Sequence, residues 1–123
     1  MLSVMIVDDE EMLHQLYGKL LELRGYRVVA SAFNGDEAVE TYASTEPTPD
    51  LVLMDHRMPI KSGLEAMREI LEMDGHARII FLTADAAVAE EAMAAGATDV
   101  LLKPFRMDVL HKAVDEVASR LRG

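Results

Sequence analysis

The sequence contains no cysteine, so disulfide bonds and thiolate metal sites are excluded. Basic residues are also scarce: 12 lysines and arginines stand against 22 aspartates and glutamates, which gives a formal net charge of −10. A surface this acidic gains neither counterion release nor attraction from nucleic acids or anionic membranes. We therefore expect no direct nucleic-acid or membrane partner, and expect metal cations and basic protein surfaces instead.

The apolar start of the chain, Met1–Val7, is too short to span a bilayer and runs directly into acidic residues. It also lacks the basic start and the cleavage region of a secretory signal. We therefore expect a cytoplasmic protein. With 123 residues, of which 50% are hydrophobic, the chain is long enough for one domain with its own core, covering residues 1–123.

Short apolar segments alternate five times with segments whose apolar residues recur at helical spacing. We predict strands at Leu2–Val7, Arg27–Ala32, the run from Leu51 to Asp55, Arg78–Leu82 and Asp99–Leu102. Asn34-Gly35 is predicted to be a turn. Four of the predicted helices turn apolar residues inward: Leu13, Leu16, Tyr17, Leu20 and Leu21; Ala38, Val39 and Tyr42 within Glu37–Ala43; Leu64, Met67, Ile70 and Leu71; and Leu110, Val114, Val117 and Leu121. Ala86–Ala95 is predicted to be an alanine-rich helix that ends at Gly96.

This alternation predicts an α/β fold with a five-stranded parallel sheet, right-handed crossovers and helices on both faces. The flavodoxin-like strand order 2-1-3-4-5 suits five such strands, and it places the switch point between strands one and three.

Polar side chains follow the predicted strands at their carboxyl ends. Asp8 and Asp9 follow strand one, Asp55 ends strand three, Thr83 closes strand four and Lys103 closes strand five. Because the carboxyl ends of parallel strands meet at one edge, we expect these residues to converge around the switch point. Each has a simpler explanation when taken alone, such as helix capping by Thr83, but the combination favours a functional site.

Clustered carboxylates repel one another, so at least one should have a raised pKa unless a cation neutralises the set. Oxygen ligands of this kind suit Mg²⁺, which takes one or two carboxylates and keeps several waters. A hydroxyl and a lysine beside such a site suit a transferring phosphoryl group, and a carboxylate can itself accept that group. The residues therefore indicate Mg²⁺-dependent phosphoryl chemistry.

Four segments at these strand ends resemble the receiver domains of two-component response regulators: VDDEE, LVLMDHRMP with Gly63 beyond it, LTA, and LLKPF. The resemblance covers the whole chain and is to the stand-alone, single-domain type. It implies that Asp55 accepts a phosphoryl group from a phosphohistidine on a sensor histidine kinase or a phosphotransfer protein. It implies no enzyme acting on other substrates, because such a domain catalyses only its own phosphorylation and dephosphorylation.

The resemblance also implies a ligand set for Mg²⁺. Asp9 and Asp55 would hold the ion directly, Asp8 would act largely through water, and the main-chain carbonyl of Arg57 would be a further ligand.

The remaining implied roles concern the phosphoryl group and the output. Lys103 would pair with a phosphoryl oxygen, Thr83 would hydrogen-bond to the group, and the small Ala84 would leave room for it. Phe105 would be the aromatic switch, although tyrosine is frequent there and phenylalanine lacks the hydroxyl. The Lys103-Pro104 peptide would be cis. The surface of helix four, strand five and helix five would bind a downstream protein target or form a homodimer.

Arg57 lies two residues after Asp55, and Asp85 lies two residues after Thr83. If strands three and four are neighbours, both side chains overhang the same edge, where a bidentate ion pair between them is plausible. Such a pair would hinder the approach of water to a phosphorylated Asp55 and lengthen its lifetime. The alternative is that both side chains point into solvent.

Other functions remain open. A receiver that is never phosphorylated would be a pure interaction module, although all five site residues are present. An Mg²⁺-dependent phosphatase with an aspartate nucleophile would usually carry a second acid where Arg57 stands, and would need a substrate-binding cap. Flavin binding fits the fold, but an acidic edge repels a phosphate unless a metal intervenes.

Overall fold

The computed structural model describes residues 1–122, in which strands and helices alternate strictly. The strands are β1 (Ser3–Val7), β2 (Arg27–Ala32), β3 (Leu51–Asp55), β4 (Ile79–Thr83) and β5 (Asp99–Leu102). The helices are α1 (Glu11–Leu23), α2 (Gly35–Ser44), α3 (Gly63–Met73), α4 (Ala86–Ala95) and α5 (Met107–Arg122). Among these described residues, no helix combines the length and the apolar character needed to cross a membrane.

The five strands are parallel and lie in the order β2-β1-β3-β4-β5, which confirms the predicted topology. Val7 of β1 lies opposite Met54 of β3, so the next residue of each chain segment, Asp8 and Asp55, emerges at the same level. On the other side of β3, Asp55 lies opposite Leu82 of β4. The register therefore brings the polar strand ends to one edge, where the direction of the crossovers changes between β1 and β3.

The sheet is buried on both faces, as a parallel sheet between two helical layers must be. Successive residues of a strand point to opposite faces. One face packs on α2, α3 and α4 through residues that include Met5, Val7, Met54, Ile79 and Phe81. The other packs on α1 and α5 through residues that include Val4, Ile6, Leu53, Ile80 and Leu82.

The prediction that Leu16 and Leu121 face the core is wrong. Leu16 is 44% exposed although its neighbour Tyr17 is buried, because adjacent helical residues point about 100° apart and α1 buries the face that carries Tyr17 and Leu21. Leu121 is 39% exposed in the last turn of α5, whereas Leu110 is fully buried.

The predicted turn at Asn34-Gly35 is instead the start of α2. The side chain of Asn34 caps the helix by accepting a hydrogen bond from the backbone N–H of Glu37 at 2.8 Å. Gly35 donates its backbone N–H to the carbonyl oxygen of Lys61 at 3.1 Å, and a Cβ on Gly35 would lie only 2.2 Å from that oxygen. The glycine is therefore needed for close packing against the β3–α3 loop.

Candidate functional site

An ion pair between Asp55 and Lys103 lies at the carboxyl edge of the sheet. Asp55 ends the fully buried strand β3 and is itself 5% exposed. The Nζ atom of Lys103 lies 2.5 Å from Oδ1 of Asp55. Within residues 1–122, no hydrogen bond reaches the other carboxylate oxygen, Oδ2. Asp55 therefore combines a neutralising cation on one oxygen with an uncommitted second oxygen, which is an arrangement that suits a nucleophile.

Asp55 and Lys103 line an open cleft, and most of the site residues predicted from the sequence line it as well. Its other lining residues are Asp9, Glu10, His56, Arg57, Thr83 and Ala84. A neighbouring part of the cleft is lined by Arg57 together with Asp85. The peptide bond before Pro104 is cis, as the resemblance implied; the Glu46-Pro47 bond is also cis and was not anticipated.

The acids after β1 form a compact group beside this cleft. Asp8 is 1% exposed; its Oδ1 accepts a hydrogen bond from the backbone N–H of Glu10 at 2.9 Å, whereas its buried Oδ2 has no partner. Asp8 and the exposed Asp9 and Glu10 each offer a carboxylate oxygen, and these oxygens lie within 4.8 Å of one another. A buried oxygen without a partner, next to two further carboxylates, fits a hard divalent cation such as Mg²⁺.

Burial raises the pKa of Asp8 to about 6, and the negative charges of Asp55 and Asp9 act in the same direction. The backbone N–H of Glu10 and the ammonium of Lys103 oppose them. The predicted rise in pKa within the acidic cluster is thus confirmed, but burial contributes more to it than charge repulsion does. Burial, followed by the charges of Asp8 and Asp55, likewise raises the pKa of the nearby Tyr17 to about 12.

Gly63 fixes the loop that follows Asp55. Its backbone N–H donates to the carbonyl oxygen of His56 at 2.9 Å, and the N–H of His56 donates to Leu82 at 3.1 Å. A Cβ on Gly63 would lie 2.0 Å from the carbonyl oxygen of Asp55, so no larger residue fits without moving the main chain. This close approach explains why a glycine stands beyond the aspartate.

Thr83 is 3% exposed, and its hydroxyl oxygen accepts a hydrogen bond from the backbone N–H of Asp85 at 3.1 Å. The simpler explanation, that Thr83 caps α4, does not hold, because the capping residue is Asp85. Oδ1 of Asp85 accepts hydrogen bonds from the N–H groups of Ala87 and Val88 at 2.9 and 3.3 Å. Among residues 1–122, the Thr83 hydroxyl donates a hydrogen bond to no acceptor.

No ion pair joins Arg57 to Asp85 in the part of the chain that the structure describes. One oxygen of Asp85 is instead engaged at the start of α4. The influence of these two residues on lifetime stays a prediction. Phe105 is half-buried against the core between the sheet, α1 and α5, and its role as a switch also stays a prediction.

Three residues that line the cleft or contact the acidic group were not predicted from the sequence as members of the site. Glu10 belongs to the acidic group, and its position directly after Asp9 was the available signal. His56 lines the cleft with a buried Nδ1 that has no partner. Nε2 of His14 lies 2.7 Å from the carbonyl oxygen of Asp8. The only indication in the sequence was that His14 is a polar residue in the first turns of α1, directly after Leu13, which was predicted to face inward.

The fold and the cleft together define a class: flavodoxin-like α/β domains with an acidic, lysine-containing site at the switch point. The sequence model of the response regulator receiver domain matches residues 4–115. The chemotaxis protein CheY of Bacillus subtilis is 39% identical over 115 residues, which cover 92% of this chain and 94% of that protein. The chain belongs to the receiver domain family of response regulators.

Solved structures share this fold. A chain in the CheX–CheY–BeF₃–Mg²⁺ complex from Borrelia burgdorferi matches with a TM-score of 0.89 and 27% identity, covering 94% of this chain and 88% of that one. The response regulator TrrA from Thermotoga maritima, in complex with Mg²⁺ and BeF, matches with a TM-score of 0.85 and 34% identity, covering 95% and 99%. Receiver domains are in general signalling modules, and the chain is similar to CheY-like examples of them.

Proposed function

We propose that this domain is the phosphoacceptor of a two-component phosphorelay, and that Asp55 takes a phosphoryl group from a phosphohistidine on a sensor histidine kinase or a phosphotransfer protein. The observation that carries the proposal is the state of Asp55: Lys103 holds Oδ1 at 2.5 Å, while Oδ2 has no hydrogen-bond donor among residues 1–122. Both residues line a cleft that a partner can reach from solvent.

In the transfer, a carboxylate oxygen of Asp55 forms a bond to phosphorus while the phosphorus–nitrogen bond of the donor breaks. The electron pair of that bond returns to the imidazole nitrogen, which takes up a proton. Lys103, now beside the carboxylate, would pair with a phosphoryl oxygen, and the hydroxyl of Thr83 would donate to another. Ala84 contributes only a methyl group to this part of the cleft and leaves space for the phosphoryl group.

Asp9 and Asp55 would hold Mg²⁺ directly, Asp8 largely through water, and the main-chain carbonyl of Arg57 would complete the protein ligands. Bound Mg²⁺ would supply charge neutralisation for the phosphoryl oxygens. Two features of the chain support a cation here: the buried Oδ2 of Asp8 has no partner, and the pKa of Asp8 is raised to about 6 by burial and by neighbouring charge.

The output surface that we propose consists of α4, β5 and α5. Each of these elements exposes at least one large apolar residue: Met93 on α4 is 51% exposed, Leu102 on β5 is 49% exposed, and Val109 and Leu121 on α5 are 41% and 39% exposed. Apolar side chains on three adjacent elements suit the docking of a protein target or of a second copy of this chain. Movement of Thr83 towards the phosphoryl group, followed by an inward turn of Phe105, would link the cleft to this surface.

Arg57 and Asp85 would set how long the phosphoryl group stays on Asp55. Both line the same part of the cleft, although they are not paired in this structure. A guanidinium held over a phosphorylated Asp55 would block the line along which water must approach phosphorus.

Acetyl phosphate with Mg²⁺ tests the proposal. The wild-type protein should gain one phosphoryl mass, addition of a chelator should prevent it, and Asp55→Asn should gain none while keeping its fold. Asp108→Asn, which changes an exposed acid on α5, is the matched control and should be labelled like the wild type. A folded wild-type domain that gains no phosphoryl group would support the pure interaction module instead, and steady release of phosphate from added phosphomonoesters would support a phosphatase.

A further inference from the structure

His14 contacts the main chain between Asp8 and Asp9. Its Nε2 lies 2.7 Å from the carbonyl oxygen of Asp8, and because a carbonyl oxygen only accepts hydrogen bonds, Nε2 carries the proton and donates it. That carbonyl belongs to the peptide unit joining Asp8 to Asp9, which is planar. The hydrogen bond from His14 therefore restrains the plane from which Asp9 projects its side chain.

The other restraints on Asp8 come from the main chain. Its backbone N–H donates to the carbonyl oxygen of Ala32 at 3.1 Å, and its Oδ1 accepts from the backbone N–H of Glu10 at 2.9 Å. Among the hydrogen bonds of residues 1–122, His14 is the only side chain that bonds to Asp8. The hydrogen bond from His14 is therefore the one hydrogen bond to Asp8 that a side-chain substitution at another position can remove.

The imidazole of His14 is itself held in place. It stacks on the ring of Phe33, with ring centroids 4.2 Å apart and an interplanar angle of 31°. Its Nδ1 is buried without a hydrogen-bond partner, which is unfavourable for stability. Packing alone would be served as well by an apolar side chain of similar size, so the Nε2–H group is the feature that distinguishes histidine here.

We infer that His14 is a positioning residue for the cation site: it holds the Asp8–Asp9 peptide in the orientation that brings the carboxylate oxygens of Asp8, Asp9 and Glu10 within 4.8 Å of one another. The inference rests on the proposed function, because it takes Mg²⁺ as the ligand of this site. His14 acts through the main chain and not as a ligand, since its Nε2 is engaged by the carbonyl and its Nδ1 is buried.

A titration with MgCl₂ alone, followed through the backbone amide resonances of Asp9 and Glu10, tests this role. Groups that orient metal ligands typically contribute a factor of about 10 to 100 in affinity, and we expect about tenfold weaker Mg²⁺ binding in His14→Leu. His14→Asn, whose amide is too short to reach the carbonyl, should behave similarly. His14→Gln, whose longer amide can reach it, should stay close to the wild type. His76→Leu, an exposed histidine before β4, is the control.

The pattern across the variants decides the outcome, and thermal melting without Mg²⁺ shows which variants are folded. Wild-type affinity in both His14→Leu and His14→Asn overturns the inference. Equal loss in His14→Gln and His14→Asn also overturns it, because the hydrogen bond would then not be the cause. If the amides of the wild-type protein do not respond to Mg²⁺, the proposed metal site fails first, and that result is distinct from a failure of His14 alone.

Discussion

Asp8 should destabilise the metal-free domain at neutral pH, and Asp8→Asn should therefore stabilise it. Asp8 is 1% exposed, and burial raises its pKa from 3.8 to about 6. The folded state binds the proton of Asp8 more tightly than the unfolded state does. When the pH lies between these two pKa values, the folded state therefore carries more protons than the unfolded state. Stability must then fall as the pH rises through this window, and the full penalty applies above the folded pKa.

The size of the effect follows from the pKa shift. A shift of roughly two pKa units at about 1.4 kcal/mol each gives a penalty of about 3 kcal/mol at pH 7.5, and almost none at pH 3.5. Asparagine at this position removes the charge while keeping an oxygen for the N–H of Glu10. We therefore expect Asp8→Asn to raise the free energy of unfolding by about 2–3 kcal/mol at pH 7.5.

Urea denaturation in the presence of a chelator, followed by far-UV circular dichroism, measures this difference in the free energy of unfolding. The pH is varied from 3.5 to about 8 so that the range covers both pKa values of Asp8. Asp9→Asn is the matched control, because Asp9 is exposed and should show no comparable gain. Added Mg²⁺ should shrink the advantage of Asp8→Asn by neutralising the wild-type carboxylate. The reasoning is refuted if Asp8→Asn gives no gain at pH 7.5, or the same gain at every pH.

Further predictions concern the metal, the lifetime and the loop. At free Mg²⁺ about 100 times its dissociation constant, binding should stabilise the wild type by roughly 2.7 kcal/mol, and Asp9→Ala should lose most of this gain; a wild-type melting temperature insensitive to Mg²⁺ rules the site out. Arg57→Ala and Asp85→Asn, which keeps the capping oxygen, should each speed the loss of phosphate measured without kinase, and the double variant should do no more. Unchanged rates in both single variants exclude the proposed effect of these two residues on the lifetime of the phosphoryl group. Gly63→Ala should lower stability by about 1–3 kcal/mol in urea denaturation, because its Cβ would lie 2.0 Å from the carbonyl oxygen of Asp55. Gly75→Ala, with its nearest neighbour at 4.0 Å, should cost less than Gly63→Ala, and equal losses would contradict the packing argument.

The strands were predictable because they depend on short-range signals, and most of the site followed from the strand ends once the flavodoxin-like strand order was assumed. The β3 segment is wholly apolar up to Asp55, and in a parallel sheet that pattern locates the carboxyl edge. Thr83 and Lys103 follow similar apolar segments, so their convergence with Asp55 needed only the strand order.

The features that the sequence did not predict depend on which of several possible neighbours a residue contacts in the folded protein. Asn34 lies in a turn-forming pair, but the close approach of Lys61 and the side-chain cap make it the start of α2. Asp85 was available to Arg57 on sequence spacing, yet it caps α4 instead. The dominance of burial in the pKa of Asp8 likewise depends on how neighbouring elements cover the carboxylate, which spacing along the chain does not reveal.

Mapping the phosphorylated residue after transfer from a phosphohistidine donor tests the central proposal most directly. The domain would be mixed with a purified phosphorylated histidine kinase and Mg²⁺, and then reduced with borohydride, which converts an aspartyl-phosphate to homoserine. Peptide mass spectrometry should find homoserine at position 55 in the wild type, and no labelled peptide in Asp55→Asn. Homoserine at Asp8 or Asp9, or undiminished labelling of Asp55→Asn, would contradict the assignment of Asp55 as the phosphoacceptor.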